Sequence, residues 1–167
     1  MTPAPSATID TRFSDPEAGP TPWPDAAHAL EEAELYWLTT VRADGRPHVT
    51  PLIGAWHEGA AWFTTGHDEQ KARNLAHSPL VALTTGGNTW NRGHDVVVEG
   101  TAARVTDPDT LQALADAIHA KYGDDWHFQV TGDSLSDGDH PSGLYRVAPH
   151  KVLSYAKDPH AQTSYTF

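Results

Sequence analysis

Hydroxyls, cations and an amide crowd one short stretch of this 167-residue chain: Phe63-Thr-Thr-Gly66, followed by Lys71, Arg73 and Asn74. The hydroxyls of Thr64 and Thr65 at a strand end, then the free backbone N–H groups of a helix start, form an anion site. Lysine and arginine one turn further on supply charge, and a guanidinium fork matches phosphate oxygens. The same spacing also describes a plain surface helix whose cations pair with Glu69 or Asp68. The overall charge makes the stretch conspicuous. With 11 basic and 22 acidic side chains the net charge is −11, which excludes generic binding to nucleic acid or an anionic membrane. A phosphate site on such a surface has to be local and built from few residues.

Other chemistries lack their residues. There is no cysteine, which removes disulfides, thiolate metal sites and cysteine nucleophiles together. The 11 histidines contain neither a His-x₃-His pair nor an H-E-x-x-H arrangement, so no intrinsic metal site is expected. Asp133, Asp137 and Asp139 do not follow the calcium-loop ligand order, because Leu135 stands where an acid is needed, and they read as a solvated loop. Neither a G-x-S-x-G elbow nor a G-x-G-x-x-G fingerprint is present. The N-terminal residues carry no basic start followed by an apolar run, and no apolar stretch is long enough to span a bilayer. The expected compartment is the cytoplasm.

The elements that must position the anion site are mostly short strands. Six of the 13 prolines fall in residues 1–24, which read as a flexible arm, or as one that packs Phe13 or Trp23 on the body or on a partner subunit. A helical pattern over 25–33 precedes a β-branched, aromatic run at 35–42. Tight-turn signals at Asp44-Gly45 and Glu58-Gly59 connect it to strands over 47–56 and 60–65, predicting a three-stranded meander. A helix follows, with Asp68 as N-cap and Ser78-Pro79 as stop. Strands over 80–85 and 95–105 come next, the second with Gly100 marking a bulge or a close backbone approach. Asp107-Pro108 starts a helix that Gly123 ends. Residues 124–142 read as a loop, 144–147 and 152–155 as short closing strands, and 158–167 as a tail. Trp37, Trp56 and Trp62 are expected in the core or at an interface. The pattern is mainly β with short helices, an α+β chain whose six or seven antiparallel strands form a barrel or sandwich.

Three ordered motifs carry a family resemblance. Tyr36-Trp-Leu-Thr-Thr-Val-Arg-Ala-Asp-Gly-Arg-Pro-His48, with Val49-Thr-Pro-Leu52, resembles the first hairpin of the pyridoxamine 5′-phosphate oxidase-like superfamily. Phe63-Thr-Thr-Gly66 with Lys71-Ala-Arg-Asn-Leu75 and Pro79 is similar to that family's phosphate-binding stretch. Val96-Val-Val-Glu-Gly-Thr-Ala102 with Val105-Thr-Asp107 is similar to its long central strand. The resemblance implies an antiparallel split β-barrel over residues 25–157, working as a homodimer with a flavin-type cofactor between subunits. It implies that His48, Val49, Thr50 and Pro51 line the ring. Thr64, Thr65, Lys71, Arg73 and Asn74 would then hold the phosphate, and Trp90 would lie near the ring or the dimer seam.

The implied function is an oxidoreductase that uses FMN, or the deazaflavin F420, to transfer hydride to or from a small organic substrate. FMN comes first because the acidic tail of F420 is repelled by an acidic protein. The cofactor brings its own redox chemistry, so no acid–base dyad is required of the protein. Two alternatives remain on the same fold. One is a non-catalytic protein that sequesters flavin or haem. The other is a haem-degrading enzyme, with His48 or a tail residue ligating iron. The chain departs from the family in two places: Ser164 stands where related chains carry an arginine, and only Arg146, Lys151 and Lys157 offer cations near the C-terminus, without the substrate-phosphate motif of the vitamin B6 oxidases.

Overall fold

The computed structural model describes residues 5–138 and 140–167. The strands are β1 (Ser6–Ile9), β2 (Tyr36–Val41), β3 (Pro47–Leu52), β4 (Ala55–His57), β5 (Ala60–Gly66), β6 (Leu80–Thr85), β7 (His94–Val105), β8 (Gln129–Thr131), β9 (Ser134–Asp137), β10 (His140–Lys157) and β11 (His160–Thr166). The helices are α1 (Trp23–Glu32), α2 (Gln70–His77) and α3 (Pro108–Tyr122), the last followed by a 3₁₀ turn at Gly123–Trp126.

All pairings are antiparallel, and one path runs β1-β11-β10-β7-β6-β2-β3. The 18-residue β10 makes the split. Its first half (Leu144–Val147) is flanked by β5 and β7, and its second half (Lys151–Lys157) by β11 and β7. The architecture is therefore the expected α+β split barrel, but with eleven strands among the described residues rather than six or seven, and the sheet does not close.

Local chemistry explains several elements. The β4–β5 hairpin closes through Glu58-Gly59, where φ is 50° and 71°, the doubly positive pair that matches the strand twist. A Cβ on Gly100 would lie 2.4 Å from the Ala148 carbonyl oxygen, and the β7–β10 register shifts opposite it, between Pro149 and Lys151. The close approach expected at Gly100 is thus present, with the extra residue, His150, on the partner strand.

Other expectations are corrected. The predicted meander is broken, because the run over 47–56 divides at Ile53-Gly54: β3 pairs with β2, whereas β4 pairs with β5. A Cβ on Gly54 would sit 2.7 Å from the Trp62 carbonyl oxygen, so this crossing admits glycine. The arm is ordered where described: residues 6–9 pair with β11. Trp23 packs on Trp56, Tyr165 and Phe167 with ring centroids 6.0, 5.1 and 5.3 Å apart. Phe13 stays 66 % exposed. The tail is β11 rather than an appendage, and its buried Tyr165 hydroxyl donates to the Thr21 carbonyl at 2.8 Å. Edge pairing outweighs a proline-rich composition because it satisfies backbone groups whatever the side chains.

The stretch expected to be a loop at 124–142 instead holds the β8–β9 hairpin and the start of β10, while Asp139 lies outside the described residues. Two apolar cores result. One fills the barrel, with α1 supplying Ala26 and Leu30 against Tyr36, Leu38, Phe63, Val96 and Val152. The other seats Leu111, Leu114 and Ile118 of α3 against Trp62, Phe128, Leu135 and Leu144. Among the expected tryptophans, Trp56 and Trp62 are buried and Trp37 is 41 % exposed.

Candidate functional site

The break at Ile53-Gly54 opens a cleft of about 490 Å³. Leu35, Pro51, Leu52 and Ile53 line one side, and Thr64 and Thr65 close one end with Glu69 and Lys71. The third side comes from the 124–142 stretch, through Trp126, Phe128, Asp137, His140 and Ser142. Trp126 and Phe128 lie 5.9 Å apart with an interplanar angle of 32°, and together form an aromatic wall. Apolar walls with a few convergent polar groups are the usual make-up of a small-molecule site.

Lys71 is the unusual residue here. It is only 6 % exposed, although lysine is rarely buried without a partner. Its ammonium donates to the Glu69 carboxylate. The same carboxylate accepts the Gly66 N–H at 2.8 Å and faces the Thr65 hydroxyl at 3.4 Å. Burial works against the Glu69 charge, yet the bonds from Lys71 and the Gly66 amide outweigh it and hold its carboxyl below the usual glutamate range. Glu69, not Asp68, stands at the N-cap of α2, and no side chain caps the helix.

The sequence-derived site residues divide on the structure. Pro51, Thr64, Thr65 and Lys71 line the cleft. Asn74 is 2 % exposed and turned to structural use, donating to Thr40 Oγ1 at 2.8 Å and accepting from Gln70 at 2.7 Å. Arg73 is exposed while Lys71, Asn74 and Leu75 are buried, so it lies on the opposite face of α2. The expected convergence of Lys71 and Arg73 therefore does not occur within one chain. Two residues apart on a helix means about 200° of rotation.

Along β3, burial alternates, so Val49 and Pro51 look outward while His48 and Thr50 are half-buried on the other face. His48 Nδ1 lies 3.4 Å from Thr50 Oγ1. Burial, with the charges of Arg42 and Lys71, holds the His48 ring below the usual imidazole value. Trp90 is 82 % exposed and lines a different depression, with Asp95, Tyr155, Lys157 and His160. Sequence reasoning missed Trp126, Phe128, Asp137, His140 and Ser142. One signal was available: Trp126, Phe128 and Val130 alternate with polar residues ahead of Gly132-Asp133, the pattern of a strand entering a tight hairpin.

The family described as pyridoxamine 5′-phosphate oxidase matches residues 23–156. The chain belongs to that family. It is 35 % identical over 78 residues to the pyridoxine/pyridoxamine 5′-phosphate oxidase of Bacteroides thetaiotaomicron, a match covering 46 % of this chain and 36 % of that protein. The matched stretch thus spans about a third of that relative's length. The fold superposes on an F420 reductase with a TM-score of 0.56 and 26 % identity, covering 75 % of this chain and 93 % of that one. It also superposes on a haem storage protein of Vibrio cholerae, with a TM-score of 0.59, 19 % identity, and 75 % and 88 % coverage. The named relative is an oxidase and the two structural neighbours are a reductase and a haem storage protein; among the described residues no helix is long and apolar enough to cross a membrane.

Proposed function

We propose that this protein is a flavin-dependent oxidoreductase whose cleft takes the phosphate of FMN at Lys71. The observation that carries the reading is a lysine 6 % exposed on the wall of a cleft with apolar and aromatic surfaces, beside two threonines at a strand end. A buried ammonium with hydroxyl and backbone N–H donors around it suits a phosphate monoester. Thr64, Thr65 and Lys71 would hold that group, and Trp126, Phe128 and Ile53 offer apolar walls to a planar ring. Bound there, FMN supplies hydride exchange with a small organic substrate. The chain's own part is to bind, orient and shield. Trp126 and Phe128 exclude water from one side, and His140 and Ser142 bring polar groups to the same space.

The working unit we propose is a homodimer. Trp37, Val49 and Leu80 are 41 %, 55 % and 57 % exposed. The registers Trp37↔Pro51, Thr39↔Val49 and Thr39↔Ala82 put them on one outer face. That apolar face reaches the cleft through Pro51, so a second copy seated on it would border the cofactor. The C-terminal cations do not line the cleft: Arg146 lies over the Trp62 ring at 5.8 Å, and Lys157 pairs with Asp95 at 3.0 Å. This supports a substrate other than a vitamin B6 phosphate.

The test is titration of the purified protein with FMN, F420 and haem separately, followed by visible spectrum and melting temperature. FMN should shift both, since a ligand that binds only the folded state raises its stability. No response to any of the three overturns the cofactor reading. Anaerobic mixing of the FMN-loaded protein with reduced nicotinamide cofactor then separates an oxidoreductase, which bleaches and turns over, from a carrier, which does not.

A further inference from the structure

We infer that Glu69 is a built-in competitor for the phosphate seat, so that the phosphate binds only by displacing this carboxylate and the phosphorylated cofactor is an exchangeable ligand. The inference rests on the cleft being the FMN site and goes beyond it.

The donors that would serve a phosphate are the Lys71 ammonium, the Thr65 hydroxyl and the Gly66 N–H. The Glu69 carboxylate reaches all three: it takes the Lys71 ammonium and the Gly66 N–H, the latter at 2.8 Å, and lies 3.4 Å from the Thr65 hydroxyl. Lys71 is buried with a side chain 8 % exposed, whereas the Glu69 side chain is 47 % exposed and has solvent to move into. Glu69 sits at the N-cap of α2 yet accepts no backbone N–H from that helix, so swinging it outward breaks no cap. A carboxylate leaving buried Lys71 unpaired would be costly. Exchange for another anion is not, because the incoming phosphate takes over the same donors. The arrangement is a two-state seat, with Glu69 in or Glu69 out. Apparent affinity for a phosphorylated ligand is reduced by the fraction of molecules in which Glu69 is in. A flavin without a phosphate does not contest the seat.

The prediction is a change in the ratio of two affinities, measured on the full chain by fluorescence titration with FMN and with riboflavin. Glu69→Gln keeps an acceptor for Gly66 but gives up the ion pair, and Glu69→Ala empties the seat. Both should tighten FMN binding by about tenfold or more while leaving riboflavin within about twofold. Melting curves of the two variants show whether each is folded, and Gln serves if Ala is not. Unchanged or weakened FMN binding in a folded Gln variant, with wild type binding FMN through Lys71, overturns the competitor and leaves the cofactor reading standing. If neither wild type nor variant binds FMN, both fall together.

Discussion

The helices α2 and α3 begin in opposite ways. At α3 the Asp107 carboxylate accepts the Thr110 N–H at 2.9 Å and its hydroxyl at 2.7 Å, with Pro108 at the first helical position. That terminus is finished by its own side chain, and the acid also favours the positive end of the helix dipole. At α2 the residue in the corresponding place, Glu69, accepts no backbone N–H of its helix and binds the Gly66 N–H and the Lys71 ammonium instead. One terminus is capped and structural. The other is uncapped, stands on a cleft wall and carries a buried cation. An acidic residue before a helix is a cap only when its carboxylate accepts a backbone N–H of the first turn.

Substitutions at the two helix starts separate ligand binding from stability. Lys71→Ala should produce the largest effect, weakening FMN binding by roughly tenfold to a hundredfold, as expected for loss of a charged hydrogen bond. Equilibrium titration against wild type measures it, and full retention of affinity would move the phosphate elsewhere. Asp107→Ala should reverse the pattern, costing about 1 kcal/mol of stability in urea denaturation with FMN affinity unaltered. The imidazole of His48 gives a smaller and purely electrostatic readout by NMR. Burial and the Arg42 and Lys71 charges disfavour its cation and hold its pKa below the usual imidazole value, so Lys71→Met should move it upward. The unfolded chain takes up this proton at higher pH than the native one. His48 therefore supports the fold above that unfolded value, and its support is lost as pH falls through the depressed native value. Arg73→Ala should do least, changing FMN affinity by less than about twofold, since Arg73 is exposed on the far face of α2 and does not line the cleft.

Much of the fold was legible in local chemistry. The Asp44-Gly45 and Glu58-Gly59 turns, the strand-rich pattern and the Asp107 cap depend on neighbours a few residues apart. Gly100 signalled a close approach, but folding supplies its partner, Ala148. The site was legible only where periodicity was respected. Four consecutive residues on β3 cannot face one way, because side chains alternate, and two residues two apart on α2 cannot converge. Asn74 read as a phosphate ligand because its type suits the task. Its actual partner, Thr40, lies 34 positions earlier and is brought there by folding.

The sequence by itself determined the family, the strand-dominated α+β class, the absence of cysteine chemistry and the placing of Lys71 just past a strand end. Only the tertiary structure decided that residues 126–142 help line the cleft, that β1 and β11 pair near the chain's two ends, and that Lys71 is buried while Arg73 stays exposed. The physical reason is range. Turns, caps and periodicity are settled by bonds between near neighbours. The burial of a charge and the lining of a cleft depend on which distant strands pack around them, and that is fixed when the barrel assembles.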